Sequence, residues 1–230
     1  LSIIGFGYCH HIVAIVWNFR LQVMNEATSV FTMDLLRPEL VQGKRLLEIG
    51  SRDVCGQNGP AREFFQSLKP FEYIGVDYED GVGVDVKLNA NDIVNEFGLE
   101  RFDVVVSLET LEHVSNWKYV VRNMKRVLTK EGVLLITTRS YGYPLHSYPE
   151  DHWRYELEDI VRIFSDFEIL QLQRDWTGMK RFWNGTTWQA EPGENVEHPG
   201  IMLLAKKPLN YLENDISKIT LYNMNSGIRQ

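Results

Sequence analysis

Leu46-Leu47-Glu48-Ile49-Gly50-Ser51-Arg52-Asp53-Val54-Cys55-Gly56 is a short apolar run that ends on glycine and leads toward Pro60. Bounded in this way it reads as a strand entering a tight turn. A glycine there lets backbone approach a ligand where a side chain would collide. The same turn also serves plain strand-to-helix packing, so alone it selects no ligand. Pro60 suits the first position of a helix, and Ala61, Phe64, Phe65 and Leu68 follow at i, i+3, i+4 and i+7, one apolar face. Tyr73-Ile74-Gly75-Val76-Asp77 is a second apolar run whose terminal acid stands 27 positions after Gly50. An acid at the end of a second strand accepts the two hydroxyls of an adenosine ribose in dinucleotide-binding folds. Glycine turn and acid together point to an adenosine-bearing ligand without choosing among such ligands.

Working outward, short apolar runs alternate with amphipathic stretches, the pattern of βαβ units around a mostly parallel sheet. The strands expected are Arg45 to Ile49, Tyr73 to Asp77, Gly83 to Lys87, Asp103 to Leu108, Val133 to Thr138, Phe167 to Arg174 and Ile201 to Lys206. They are β-branched or apolar, as strands covered on both faces should be. Trp117, Val120, Val121, Met124, Val127 and Leu128 keep a helical period, with Gly132 as the expected C-terminal stop, and another helix is expected from about Glu156 to Phe164. Asp175 to Gly200, with Trp176, Phe182, Trp183 and Trp188, is longer than a simple hairpin needs. It reads as an insertion or extended hairpin suited to closing a substrate pocket. The organisation expected is an N-terminal helical or lid extension over 1–42, an α/β domain over 43–208 and a tail over 209–230, polar apart from Ile216, Ile219, Leu221 and Tyr222.

A chain of 230 residues, 44% hydrophobic and 24% charged, fills one α/β domain and argues against disorder. A net charge of -7 disfavours nucleic acid as a partner, because affinity for phosphates rests on lysine and arginine. The one dense basic cluster, Lys118, Arg122, Lys125 and Arg126, lies at helical spacing and reads as a solvated face. Two cysteines, Cys9 and Cys55, fit a reducing compartment, and a cytoplasmic location is expected. Cys9-His10-His11 lacks a second cluster at metal-site spacing, so no metal is expected. Leu1 to Trp17 is apolar but interrupted by Gly5, Gly7, His10 and His11, too short and broken for a membrane span and without signal-peptide features. A lid or a homo-oligomer contact through the terminal segments is expected instead, and the absence of an initial methionine points to a trimmed or incompletely ordered product.

Four stretches resemble the class I S-adenosylmethionine-dependent methyltransferases, in particular the type 11 group that includes many small-molecule methyltransferases. Glu48-Ile49-Gly50 matches the start of an acid-x-Gly-x-Gly-x-Gly motif, with Arg52 standing at the second glycine. Asp85 to Ile93 is similar to the third strand and adenine loop. Phe102 to Val114, containing Ser107-Leu108-Glu109-Thr110-Leu111-Glu112-His113, is similar to the fourth-strand motif. His146 to Tyr155 is similar to a segment after the fifth strand. The resemblance covers roughly Gly43 to Pro208. It implies a Rossmann-like fold, a seven-stranded mostly parallel sheet with helices on both faces and an antiparallel last strand. It also implies S-adenosylmethionine as cofactor, with Glu48, Gly50, Ser51, Arg52, Asp77, Tyr78, Asn89, Ala90, Asn91, Ser107, Leu108 and Glu109 as the residues that hold it. A dinucleotide dehydrogenase would show a complete Gly-x-Gly-x-x-Gly, which Gly50 to Cys55 does not supply.

Methyl transfer from a sulfonium is an in-line displacement that gains most from positioning. An aliphatic hydroxyl acceptor also needs a base, and His113, His146 and His152 are the candidates on loops after strands. Asp151 reads as a cap toward the Glu156 helix, Trp153 and Tyr155 as packing, and Arg154 as an anion holder or the partner of Glu150 or Glu158. Glu109 is expected to face the methionyl ammonium or the acceptor, and Glu112 to lie along the outside of a helix. The function expected is methylation of oxygen or nitrogen on a small-molecule acceptor. A protein or RNA methyltransferase and a non-catalytic S-adenosylmethionine-binding protein are the alternatives.

Overall fold

In a computed structural model of the chain, the residues described are 26–53, 60–146, 150–174, 179–183, 188–192 and 200–230. Leu1 to Trp17, Cys9-His10-His11, Cys55 and Trp176 lie outside them. Among the described residues no helix is long and apolar enough to cross a membrane.

One seven-stranded sheet organises the domain. Its strands are β1 (Arg45–Ile49), β2 (Glu72–Asp77), β3 (Val86–Lys87), β4 (Phe102–Leu108), β5 (Leu128–Arg139), β7 (Glu168–Arg174) and β10 (Gly200–Lys206), in the order β3-β2-β1-β4-β5-β10-β7. Neighbours from β3 to β5 are parallel, and β10 lies antiparallel between β5 and β7. The expected Rossmann-like sheet with an antiparallel last strand is therefore present. Between β1 and β4 the strand order reverses, opening a crevice at the carboxyl ends of the two strands.

Alternation along each strand splits the core into two layers. Leu47, Ile49, Val105, Leu134, Ile136 and Leu203 face Trp117, Val120, Val121 and Met124 of α5 (Trp117–Val127) and Ile160 of α6 (Leu157–Ile163). Leu46, Val104, Val106, Leu135, Met202 and Leu204 face Phe31 of α1 (Glu26–Leu35), Val41 of α2 (Pro38–Val41) and Phe65 of α3 (Pro60–Ser67). A short α4 (Ile93–Phe97) adds Ile93 to the first layer.

The structure corrects the sequence reading at β3, at the end of α5 and on the basic face, and it settles the course of the tail, which the sequence leaves open between docking and fraying. β3 is only Val86–Lys87, because Asp85 turns its carboxylate onto the Gly75 amide at 2.8 Å and onto Arg62 instead of continuing the ladder. Helix α5 stops at Val127, not Gly132: Leu128 turns extended and pairs with Phe102, so β5 begins there. Gly132 instead lies where a Cβ would come within 2.9 Å of the Asp103 carbonyl. The basic face is not simply solvated, since Lys125 is fully buried on Asp166. Finally the tail docks: Ile216, Ile219 and Leu221 are buried, and β11 (Tyr222–Asn223) joins β6 (Trp153–Arg154) and β12 (Ile228–Arg229) in a small sheet. Between β7 and β10 the extended hairpin is realised as β8 (Met179–Trp183) paired antiparallel with β9 (Trp188–Pro192).

Candidate active site

A cavity of about 760 Å³ opens at the carboxyl ends of β1, β2 and β4. Its first wall is the turn after β1. Gly50 sits at φ +81°, and a Cβ there would fall 2.0 Å from Thr110 Oγ1, so both conformation and space require glycine. The Gly50 and Ser51 amides donate to the Val76 carbonyl at 2.9 and 3.1 Å, pinning the turn against β2. Arg52, at the expected second glycine, donates its amide to Asp77 Oδ2 at 3.3 Å and pairs its guanidinium with Glu79. The turn thus keeps a defined path without the second glycine.

Asp77 closes β2 at the cavity edge, and Tyr78 follows it there. The third wall is a 3-10 turn, Ala90–Asp92, in which Asn89 accepts the Asn91 amide at 2.9 Å. Asn123 on α5 donates to the carbonyls of Ala90 and Asn91 at 3.2 and 2.6 Å and so fixes that loop from below. Ser51 Oγ and Asn91 Oδ1 are buried without a hydrogen-bond partner, and both residues line the cavity. Buried polar atoms left unsatisfied are costly, which marks these two as donors or acceptors waiting for a ligand. Glu48 lies deeper, 3% exposed, with the Tyr73 hydroxyl donating to it. Burial pushes its carboxyl up to about 7 against the opposing pull of the Tyr73 hydrogen bond and Arg62. Ser107 is buried inside β4 and is not part of the cavity wall, whereas Leu108 and Glu109 are.

Past β4, Glu109 adopts φ +51° and places its carboxylate 2.6 Å from Arg139, which also lines the cavity. Strained backbone of this kind persists where the surroundings hold it, here through the Glu109 amide on the Thr137 carbonyl at 3.0 Å. Glu112 does not lie on the outside of a helix. The 3-10 turn Leu111–His113 folds it fully inward, where Thr138 Oγ1 donates to it at 2.9 Å. Burial, with Glu109 nearby, raises its carboxyl well above the ordinary range.

His113 and His152 stand at the cavity wall; His146 stands behind His113 and is not part of the wall. His113 Nδ1 is 2.6 Å from the Glu150 carbonyl and its Nε2 is 3.2 Å from His146 Nε2. Burial lowers the basicity of both imidazoles. His152 has Glu150 Oε2 at 3.2 Å from Nε2, and its amide donates to the Glu112 carbonyl at 2.8 Å. Asp151 is not the cap of the following helix: Glu156 caps α6 reciprocally with Asp159. Nor does Arg154 face Glu150 or Glu158. It is 1% exposed and grips both oxygens of Asp151 at 2.5 Å, with the carbonyls of Tyr143, Pro144 and Trp153 completing its set. Trp153 and Tyr155 pack, donating to the carbonyls of Val114 and Leu111.

Sequence reading missed Thr110, Asn123, Arg62 and Arg139. Asn123 carried a signal, as a polar residue beside the apolar stripe of α5; the others acquire a role only once β1, β2 and β5 are brought together. The donor set suits S-adenosylmethionine. A terminal acid on β2 is available to ribose hydroxyls, two unpartnered polar atoms lie at the wall, and Asp77 and Glu109 offer negative charge to a cationic ligand.

A family described as methyltransferase domain matches residues 24–175 of the chain. Among solved structures, the chain is similar to the complex of the Haloferax volcanii Trm112 methyltransferase activator with its methyltransferase. The match has a TM-score of 0.59 and 13% identity, over 88% of this chain and 98% of that one. An S-adenosylmethionine-dependent methyltransferase from Mesorhizobium loti matches with a TM-score of 0.54 and 15% identity, over 79% and 98%. A Burkholderia thailandensis 1,6-didemethyltoxoflavin-N1-methyltransferase, solved with 1,6-didemethyltoxoflavin and S-adenosylhomocysteine, matches with a TM-score of 0.52 and 15% identity, over 86% and 83%. No curated protein matches the chain.

Proposed function

Because the chain belongs to the methyltransferase domain family and is an S-adenosylmethionine-dependent methyltransferase, we propose that it methylates oxygen or nitrogen of a small-molecule acceptor within the cavity beside β1 and β4. The observation that carries this reading is one continuous cavity wall that joins Asp77, Ser51 and Asn91 on the cofactor side to His113, Arg139 and His152 on the other. When bound, the cofactor supplies an electrophilic methyl group on a sulfonium. Asp77 accepts the ribose hydroxyls. Gly50 and Ser51 give the turn its close approach, while the Asn89 to Asn91 loop, steadied by Asn123, borders the adenine. Glu48, buried on the Tyr73 hydroxyl, lies at the foot of the turn, and Glu109, paired with Arg139, faces the methionyl ammonium. A site that fixes donor and acceptor in this way favours displacement by holding the reacting atoms in line.

For a hydroxyl acceptor, His152 is the histidine suited to take the proton. It lies at the wall, and Glu150 Oε2, 3.2 Å from its Nε2, stabilises the imidazolium that forms. His152 Nδ1 has the Asn225 amide nitrogen at 3.4 Å, so both histidines carry a partner on each ring nitrogen, and the carboxylate behind His152 is what distinguishes it from His113, whose Nδ1 meets a carbonyl. Incubation with isotopically labelled methyl donor and a metabolite extract, followed by mass identification of the product, tests the acceptor class. Label in a small molecule supports the reading, and label only in protein or RNA replaces it. With the acceptor known, His152→Ala should lower turnover at saturating cofactor by on the order of a hundredfold without matching loss of cofactor affinity. Unchanged turnover removes His152 from the reaction.

A further inference from the structure

We propose that Glu112, His113 and His146 form a site for a divalent transition-metal ion, zinc by its ligand types, beside the cavity. One ligand atom from each of the three lies within 4.8 Å of the other two. His113 Nε2 and His146 Nε2 are 3.2 Å apart, and Glu112 Oε1 is 3.9 Å from His113 Nε2. Two imidazole nitrogens at that separation, each at a zinc–nitrogen distance of about 2.0–2.1 Å, subtend an angle of about 100° at the metal, close to tetrahedral.

The far sides of the rings explain why the two Nε2 atoms face each other. His113 Nδ1 lies 2.6 Å from the Glu150 carbonyl oxygen, which only accepts, so Nδ1 carries the hydrogen. His146 Nδ1 lies 2.9 Å from Asp151 Oδ2 at an angle outside hydrogen-bond geometry, and a small rotation of the ring would let Nδ1 donate to that carboxylate. Asp151 is itself locked by Arg154. With the hydrogens on Nδ1, the lone pairs of both rings meet at Nε2, 3.2 Å apart, where a shared proton or a metal ion between them relieves the repulsion. An oxygen acceptor behind each ligating imidazole is the arrangement that sets tautomer and orientation in metal sites.

Glu112 supplies the independent sign. It is fully buried, yet Oε1 has no hydrogen-bond partner. Arg139 Nε stands 3.7 Å from that oxygen, but the Arg139 charge is already met by Glu109 at 2.6 Å. Two histidines and one carboxylate leave a coordination position open, and His113 is part of the cavity wall. An ion here would polarise an oxygen of a ligand bound in the cavity, a role the methyl-transfer chemistry itself does not assign.

Chelator-treated full-length protein titrated with Co2+, followed by visible absorption, and with Zn2+, followed by calorimetry, tests the site. No methyl donor is present, so the outcome is separate from that of the methyltransferase reading. One ion per chain is expected, with affinity reduced at least tenfold in His146→Ala and His113→Ala and also reduced in Glu112→Gln, which keeps the shape of the carboxylate. Circular dichroism melts select variants that remain folded. X-ray absorption at the zinc edge should show nitrogen and oxygen neighbours including two imidazoles. The proposal is overturned by the absence of saturable uptake in the unaltered protein, by uptake undiminished in folded His146→Ala and His113→Ala, or by sulfur in the coordination sphere, which would place the ion on Cys9 or Cys55.

Discussion

The cavity wall and the clamp that holds the C-terminal tail are both rich in polar side chains, and they treat them in opposite ways. In the clamp every buried cation is saturated. Lys125 Nζ meets the Ile163 carbonyl at 2.6 Å, both oxygens of Asp166 at 2.7 and 2.9 Å, and Asn214 Oδ1 at 2.9 Å. Lys207 Nζ caps the carbonyls of Lys125 and Leu128 at 2.9 and 2.6 Å. At the cavity, Ser51 Oγ and Asn91 Oδ1 are buried with no partner at all. Saturation marks the two lysines as groups that hold the fold; a buried atom without a hydrogen-bond partner points to a ligand only where its residue also lines the cavity, since Ser107 Oγ and Tyr211 Oη lack partners away from it. Buried charge by itself therefore points to neither role.

The largest effect is expected from breaking the clamp. Lys125→Ala leaves Asp166 buried without its cation and should lower the unfolding free energy by about 3–5 kcal/mol in urea, while the folded fraction keeps its affinity for S-adenosylhomocysteine. A loss of cofactor affinity equal to the loss of stability would show that clamp and cavity are one unit. Next comes pH. The Glu48 carboxyl is raised from 4.5 to about 7 in the folded state, so the stability it contributes is complete below pH 4.5 and is lost as pH rises through about 7. Ligand-free protein should lose up to about 3 kcal/mol across that window through this group, and Glu48→Gln should flatten the loss. Equal pH slopes in the two proteins would mean that the folded carboxyl titrates normally. A smaller effect belongs to the wall: Ser51→Ala should weaken S-adenosylhomocysteine by about 1 kcal/mol and leave the melting temperature of the ligand-free protein unchanged or higher. A fall in that melting temperature would move Ser51 from the ligand side of the comparison to the structural side.

The two regions also differed in how far the sequence disclosed them. The cofactor side is built from local signals: β1 spans Arg45–Ile49 as expected, β4 begins one residue early at Phe102, and Asp77 falls at a strand end. The period-2 and glycine cues that mark such elements act over a few residues. The clamp is non-local. Lys125 reads as one of four surface bases on a helix, and only Asp166 and Asn214, brought in from distant segments, turn it into a buried ion. Arg154 and Glu112 were misplaced for the same reason, since their partners Asp151 and Thr138 depend on how the loop after β5 folds over the turn after β4. The early end of α5 was hidden because Leu128 fits an apolar helical stripe as well as it fits the first position of a strand.

We propose that Asp77, at the end of β2, is the residue on which the crevice beside β1 and β4 holds S-adenosylmethionine. Calorimetric titration of the unaltered protein and Asp77→Ala with S-adenosylhomocysteine tests it most directly. One saturable site is expected in the unaltered protein, weakened by about 2 kcal/mol, on the order of thirtyfold, in a variant whose unfolding curve is unchanged. Equal affinity in the two proteins, or no saturable binding in the unaltered one, would contradict it.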